Sequence, residues 1–153
     1  MTVTVGTDSY ITEAELTAYA TERGITLTAD ESVLLIKAMD YLESLSYKGE
    51  RTTASQALSW PRSGVYVDNY QLPSGTVPDI IKDAQAAVAS AIDAGTDPLT
   101  DMPRGVKREK ADVVEIEYMD NAAPIAISRR ITASLRKVLA GGGGVNNIMV
   151  ARG

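Results

Sequence analysis

The stretch Gln56–Gly64, QALSWPRSG, constrains this chain more than any other. It holds the single tryptophan of a sequence that contains no phenylalanine. Trp60 is therefore the largest apolar side chain available to plug a gap between helices, and its indole N–H is expected to find an acceptor there. Pro61 has no N–H and restricts the residue before it to extended geometry, so a helical run ends at this step. Arg62 follows, with five donors in a fixed fork and a charge it cannot lose, just before a Ser-Gly turn. Two readings stand side by side: a core anchor beside a surface loop, or a contact loop that Trp60 holds in place.

With 153 residues, the chain is long enough for one domain with a single core. Aromatic residues make up only 5%, so Ala, Val, Leu and Ile must fill that core, which favours close packing of helices. The sequence has no Cys and no His. Disulfides, thiolate nucleophiles, zinc–thiolate sites and imidazole bases are all excluded. The carboxylate pairs Asp30/Glu31 and Glu115/Glu117 fall at a helix start and on the exposed side of a predicted strand, where both read as structural or surface groups. Gly141–Gly144 continues into Val-Asn-Asn without the Lys-Ser/Thr of a phosphate loop. No catalytic, cofactor-binding or metal-ligating residues are expected, and the chain reads as a non-enzyme. No run approaches the roughly 18 apolar residues of a membrane span, and Met1–Tyr10 lacks a basic leader, so no membrane association is expected.

Charge is divided unevenly. Residues 1–100 carry 6 Lys/Arg against 14 Asp/Glu, and residues 101–153 carry 9 against 6. An acidic body with a basic later section is a poor generic nucleic-acid binder over most of its surface. It suits assembly with copies of itself or with charged partners, beside the simpler reading of a mixed solvated surface.

Thr12-Glu13-Ala14-Glu15 is a capping box, which predicts a helix over Glu13–Glu22 with Leu16, Tyr19 and Ala20 on one face. Met1–Gly6 reads as a short strand or an ordered arm. A second box, Thr28–Glu31, opens a helix over about Ala29–Leu45, whose stripe is Leu35, Ala38, Met39, Leu42 and Leu45. Thr53-x-x-Gln56 predicts a short helix through Leu58. Ser63–Val77, with two Tyr, has no helical or strand period and reads as a long loop. The next helix runs over about Pro78–Ala94, with Ile81, Ala84, Val88, Ala91 and Ile92 on its apolar face.

Beyond Gly95 the pattern changes. Val114, Ile116 and Tyr118 alternate with Glu115 and Glu117, the period of a half-exposed strand within residues 106–119. Lys107, Arg108 and Lys110 form a basic cluster suited to DNA or to an acidic neighbouring surface, beside the simpler reading of a solvated cluster balanced by Glu109 and Asp112. Ser128 is placed to cap a last helix to about Ala140, with Ile131, Leu135, Val138 and Leu139 inward. Four glycines, Gly141–Gly144, then form a hinge. The segment beyond it carries Val145, Ile148, Met149, Val150 and Arg152 and is too short to fold alone. Such a segment is either disordered or docked, and its Val, Ile and Met content favours a docking arm, suited to strand addition on a partner. The expected architecture is mainly α: a small helical bundle over residues 1–140 with a short β element, and an extended C-terminal arm over 141–153.

Several motifs in this order resemble a known family. They are Tyr10 with its following T-x-A-E start, Lys37-Ala38-x-Asp40-Tyr41-Leu42, Tyr47-Lys48-Gly49-x-Arg51, Gln56-Ala57-Leu58-x-Trp60-Pro61-Arg62-Ser63-Gly64-Val65, and Val77-Pro78-x-Ile80-Ile81-Lys82-x-Ala84. The set resembles tailed-phage head–tail connector (adaptor) proteins, a group also labelled DnaT-like single-stranded-DNA-binding. The resemblance implies a structural protein of the virion neck, made in the host bacterial cytoplasm. It would form a ring beneath the portal protein, following the portal's twelvefold symmetry, around packaged double-stranded DNA. Its other neighbour would be the next neck or tail protein. The alternative is a single-stranded-DNA-binding replication accessory protein. Against that alternative, the sequence shows no basic groove with aromatics spaced as stacking platforms.

Overall fold

The computed structural model describes residues 1–96, 98–99, 131 and 133–140. The fold is mainly helical, with two small antiparallel ribbons. Helix α1 spans Glu13–Glu22, α2 Glu31–Glu43 and α3 Asp79–Asp93. Strands β1 (Glu50–Arg51) and β2 (Arg62–Ser63) form one ribbon, and β3 (Tyr66–Val67) and β4 (Tyr70–Gln71) the other. Among the described residues, no helix is long and apolar enough to cross a membrane.

Each helix begins for a local chemical reason. In α1 both halves of the capping box form: Thr12 Oγ1 accepts from the Glu15 N–H, and Glu15 accepts from the Thr12 N–H at 2.9 Å. Helix α2 is capped differently from the predicted Thr28 box. Asp30 is the N-cap, accepting from the Ser32 and Val33 N–H groups, while Thr28 is taken by Asp93 at the far end of α3. The helix therefore begins two residues later than its sequence pattern suggests. Helix α3 follows Pro78, which is the N-cap itself and carries no side-chain cap.

The core lies where α2 packs along α3 and α1 lies across both. Leu16, Leu35, Leu42, Ile81, Val88 and Ala89 are all fully buried in one cluster. Burying an aliphatic side chain of this size is worth about 1.5–3 kcal/mol, so this cluster is what holds the helices together. The buried face of α3 is wider than its aliphatic stripe, since it also takes in Gln85, Ala86 and Ser90. Gln85 sits at 0% exposure because its amide is fully used: Oε1 accepts from the Tyr10 N–H, and Nε2 donates to Ser9 Oγ and to the Leu35 carbonyl. This ties the N-terminal segment to α2 and α3. That segment is an ordered arm rather than a strand, with a tight turn at residues 4–9 and Val3 in the core.

Three expectations are corrected. No helix forms over Thr53–Leu58, because Gln56 Nε2 is taken by the Leu58 and Pro61 carbonyls and fixes a turn instead. Ser63–Val77 is not a plain loop, since it contains β2's last residue and the whole β3–β4 hairpin. The last helix stops at Leu135. The chain then turns and pairs with the segment after α2: Leu139 bridges Tyr47, Lys48 N–H donates to the Val138 carbonyl at 2.9 Å, and Ala140 N–H donates to the Ser46 carbonyl at 2.9 Å. Ile131, Leu135 and Val138 are buried in the main core. The predicted strand within 106–119 and the arm at 141–153 lie outside the described residues.

Candidate nucleic-acid interface

The motif Gln56–Gly64 builds the platform beneath the ribbons. Trp60 is 2% exposed, with its ring edge-on to Tyr47 at 5.6 Å and 76°. Its backbone N–H donates to the Tyr10 hydroxyl at 3.2 Å, and that hydroxyl donates to Glu43 Oε1 at 2.6 Å. The second oxygen of Glu43 accepts from Ser59 N–H and Ser59 Oγ, at 2.9 and 3.0 Å. Burial, reinforced by the bond to Glu43, holds the Tyr10 phenol protonated well beyond the usual tyrosine range. The expected partner for the indole is not found: among the described residues nothing accepts from Trp60 Nε1.

Arg62 is spent on the fold. Its Nε donates to the Lys48 carbonyl at 2.7 Å, one terminal nitrogen to Ser59 at 3.1 Å and the other to Gly49 at 2.8 Å. The bond between Trp60 and Pro61 is cis. Gln56, Trp60, Pro61 and Arg62 thus shape one turn and bind it to β1. Trp60 is thus a core anchor, and the side chains that made the motif conspicuous are used within the fold.

What the platform does present is the hairpin. Asp68 and Asn69 have φ of 52° and 72°, the left-handed pair required by a two-residue hairpin turn. Tyr66 pairs with Gln71, Val67 with Tyr70, and Leu72 N–H returns to the Val65 carbonyl at 2.8 Å. Cross-strand partners share a face and neighbours along a strand alternate. Val65, Val67, Tyr70 and Leu72 therefore share the inner face, while Tyr66 and Gln71 share the outer one. Val65 is fully buried and anchors the base of the hairpin, yet Tyr66 is 54% and Tyr70 78% exposed.

Cations outnumber carboxylates in the ribbon segments and in the C-terminal segment that pairs beside them. Residues 48–71 and 133–140 hold five cations, Lys48, Arg51, Arg62, Arg136 and Lys137, against two carboxylates, Glu50 and Asp68. Residues 1–47 and 72–96 hold eleven carboxylates against three cations. The C-terminal segment brings its share into place by pairing with Tyr47: Lys48 Nζ donates to the Lys137 carbonyl at 2.9 Å, and Lys137 Nζ meets Asp68 at the hairpin tip at 3.3 Å. Arg51 pairs with Arg62 across the first ribbon and donates to the Gln56 carbonyl. Lys48, Arg51, Arg136 and Lys137 are exposed.

A family model described as "Putative DnaT-like ssDNA binding protein" matches residues 2–153. The chain belongs to this DnaT-like family. The matching description carries the single-stranded-DNA label and not the head–tail connector one. No curated protein and no solved structure matches the chain.

In this DnaT-like chain, the sequence-predicted residues Lys107, Arg108 and Lys110, and the arm residues Val145, Ile148, Met149, Val150 and Arg152, lie outside the described residues. The sequence analysis did not bring Tyr66, Tyr70, Lys48, Arg51 and Lys137 together; the fold places them on the two ribbons and on the segment paired beside them. The one local signal was the Asp68-Asn69 pair in V-Y-V-D-N-Y-Q-L, two residue types that tolerate a left-handed backbone in a turn. Among the described residues no cluster of carboxylates suits a metal ion.

Proposed function

We propose that this DnaT-like protein is a non-catalytic binder of single-stranded nucleic acid, and that the basic ribbon end is its binding surface. The observation that carries this is the segregation of charge. The helical body repels phosphate, while Lys48, Arg51 and Arg136 offer exposed cations on the ribbon segments and on the C-terminal segment paired with them. Such a surface orients the whole molecule on an anionic strand. Neutralising phosphates on a single strand gives a salt slope of about −0.7 per contact, so three engaged cations give about −2. Titration of the full chain with oligodeoxythymidylate over a range of salt tests this. Binding at low salt that falls with about that slope, and that weakens in Lys48→Ala/Arg51→Ala, is the expected result. Failure of the wild-type protein to bind at low salt removes the proposal.

A second reading, the virion connector, rests on the motif resemblance and on the acidic helical surface, which suits a basic protein partner better than DNA. In this reading the portal, further copies in a ring and a tail-side protein are the partners. The motif lends it limited weight, because Gln56, Trp60, Pro61 and Arg62 perform folding roles that either function needs. Electron microscopy of purified particles tests it: the chain should occupy the neck between portal and tail, and its absence from mature virions would sink this reading.

A further inference from the structure

We propose that Tyr66 and Tyr70 make this surface choose unpaired over paired strands, each ring stacking on a base on its own side of the β3–β4 ribbon. The inference rests on the nucleic-acid reading above and assigns the residues that discriminate within it.

A tyrosine ring is a large apolar payload, and folded chains usually bury most of it. Here the hairpin is held firmly from below, by buried Val65, by the Leu72–Val65 bond and by Thr52 Oγ1, which donates to the Ser74 carbonyl at 2.5 Å. Nothing in the backbone prevents a shorter or more polar tip. Yet both rings nearest the tip stand in solvent, and Lys137 reaches the tip at Asp68.

Geometry then narrows the ligand. The register places Tyr66 and Tyr70 on opposite faces of the ribbon, so one continuous base stack cannot cover both rings. A strand whose bases are splayed to either side of the ribbon can. Duplex bases are already stacked on one another and offer no free face, whereas every unpaired base does. The tip itself does not repel the backbone, because Lys137 neutralises Asp68. Cations that contact phosphate bind duplexes at least as well as single strands, so a preference for unpaired strands must come from the rings.

The test compares oligodeoxythymidylate with a blunt duplex of equal length, using the full chain. Base–aromatic stacking predicts that Tyr66→Ala/Tyr70→Ala loses about tenfold or more in affinity for the single strand, with a much smaller loss on the duplex. Tyr66→Phe/Tyr70→Phe keeps both rings and should recover most of the single-strand affinity. An undiminished single-strand affinity in the alanine variant overturns the proposal and leaves the rings as a protein contact; so does an equal loss on both probes. Lys48→Ala/Arg51→Ala should weaken both probes together, which separates failure of the stacking role from failure of the binding surface. Because both rings are exposed, thermal melting of the alanine variant should match the wild type, which checks that the fold is intact.

Discussion

The Tyr10 hydroxyl donates to the Glu43 carboxylate across 2.6 Å. That contact joins the N-terminal arm to α2, and through Ser59 and Trp60 to the turn that carries both ribbons. Replacing Tyr10 by Phe removes only an oxygen, but it leaves one carboxylate oxygen and the Trp60 N–H without this partner. Orphaning a buried polar group costs about 1–3 kcal/mol. Urea unfolding of Tyr10→Phe should show a loss in that range with an unchanged slope. A change below about 0.5 kcal/mol would mean that the relay is replaced by solvent at no cost.

The same relay sets an alkaline limit. Burial, then the Glu43 carboxylate, pushes the Tyr10 phenol up, and burial does the same for Tyr47. In the unfolded chain both phenols titrate near the ordinary value of about 10. Above that pH the unfolded state releases protons that the folded state retains, so stability falls as pH rises. Melting temperature should therefore drop steeply above about pH 10, and tyrosinate absorbance should appear in part only with unfolding. Tyr10→Phe should melt with a shallower alkaline slope than the wild type; an identical slope would rule out this assignment.

Much of the helical body was legible in the sequence, and the reasons are local. Thr12 and Glu15 form a box that needs no distant partner, and the bounds of α1 follow from it. The start of α2 was not legible, because Thr28 is drawn away by Asp93, 65 residues later. Gln85 likewise reads as a polar interruption of an Ala-rich helix until its partners at Ser9, Tyr10 and Leu35 are known. The hairpin escaped because its strands are two residues long, shorter than the run that period-2 patterning needs. The basic surface escaped for a different reason. Lys48 and Lys137 are 89 residues apart in sequence, and only the pairing of the C-terminal segment with Tyr47 brings them together.

Asp93 offers a test at the acid end. Its carboxylate accepts from Thr28 N–H, Ala29 N–H and Thr28 Oγ1, each at 2.9 Å. These bonds, the Thr28 backbone bond foremost, hold its carboxyl below the usual aspartate range. A depressed folded value contributes stability above the unfolded value of about 3.9, and that contribution disappears as pH falls through the folded one. Asp93→Asn should therefore flatten the acid limb of a stability–pH profile below about pH 4 while remaining folded at neutral pH. An acid limb as steep as that of the wild type would show that the ionised carboxylate plays no part in holding the α1–α2 connection.

Gly49 is where the ribbons depend on a missing side chain. Its φ is +72°, and a Cβ there would run into the Ser63 carbonyl and a methyl of Val65. Its own carbonyl accepts from Arg62 at 2.8 Å, so this residue cannot move away without loosening the clamp on β1. Gly64 provides the control, because it too is left-handed, at φ +76°, but has open space where a Cβ would stand. Gly64→Ala should cost only the backbone term, about 1–2 kcal/mol. Gly49→Ala must add the collision to the same term and should cost clearly more. Because β1 carries Arg51 and borders Lys48, it should also weaken binding of oligodeoxythymidylate, whereas Gly64→Ala should not. Denaturant unfolding and strand titration of the two variants in parallel measure both effects. Equal losses in the pair would show that the close approach of Gly49 to β2 is not what sets the geometry of the binding surface.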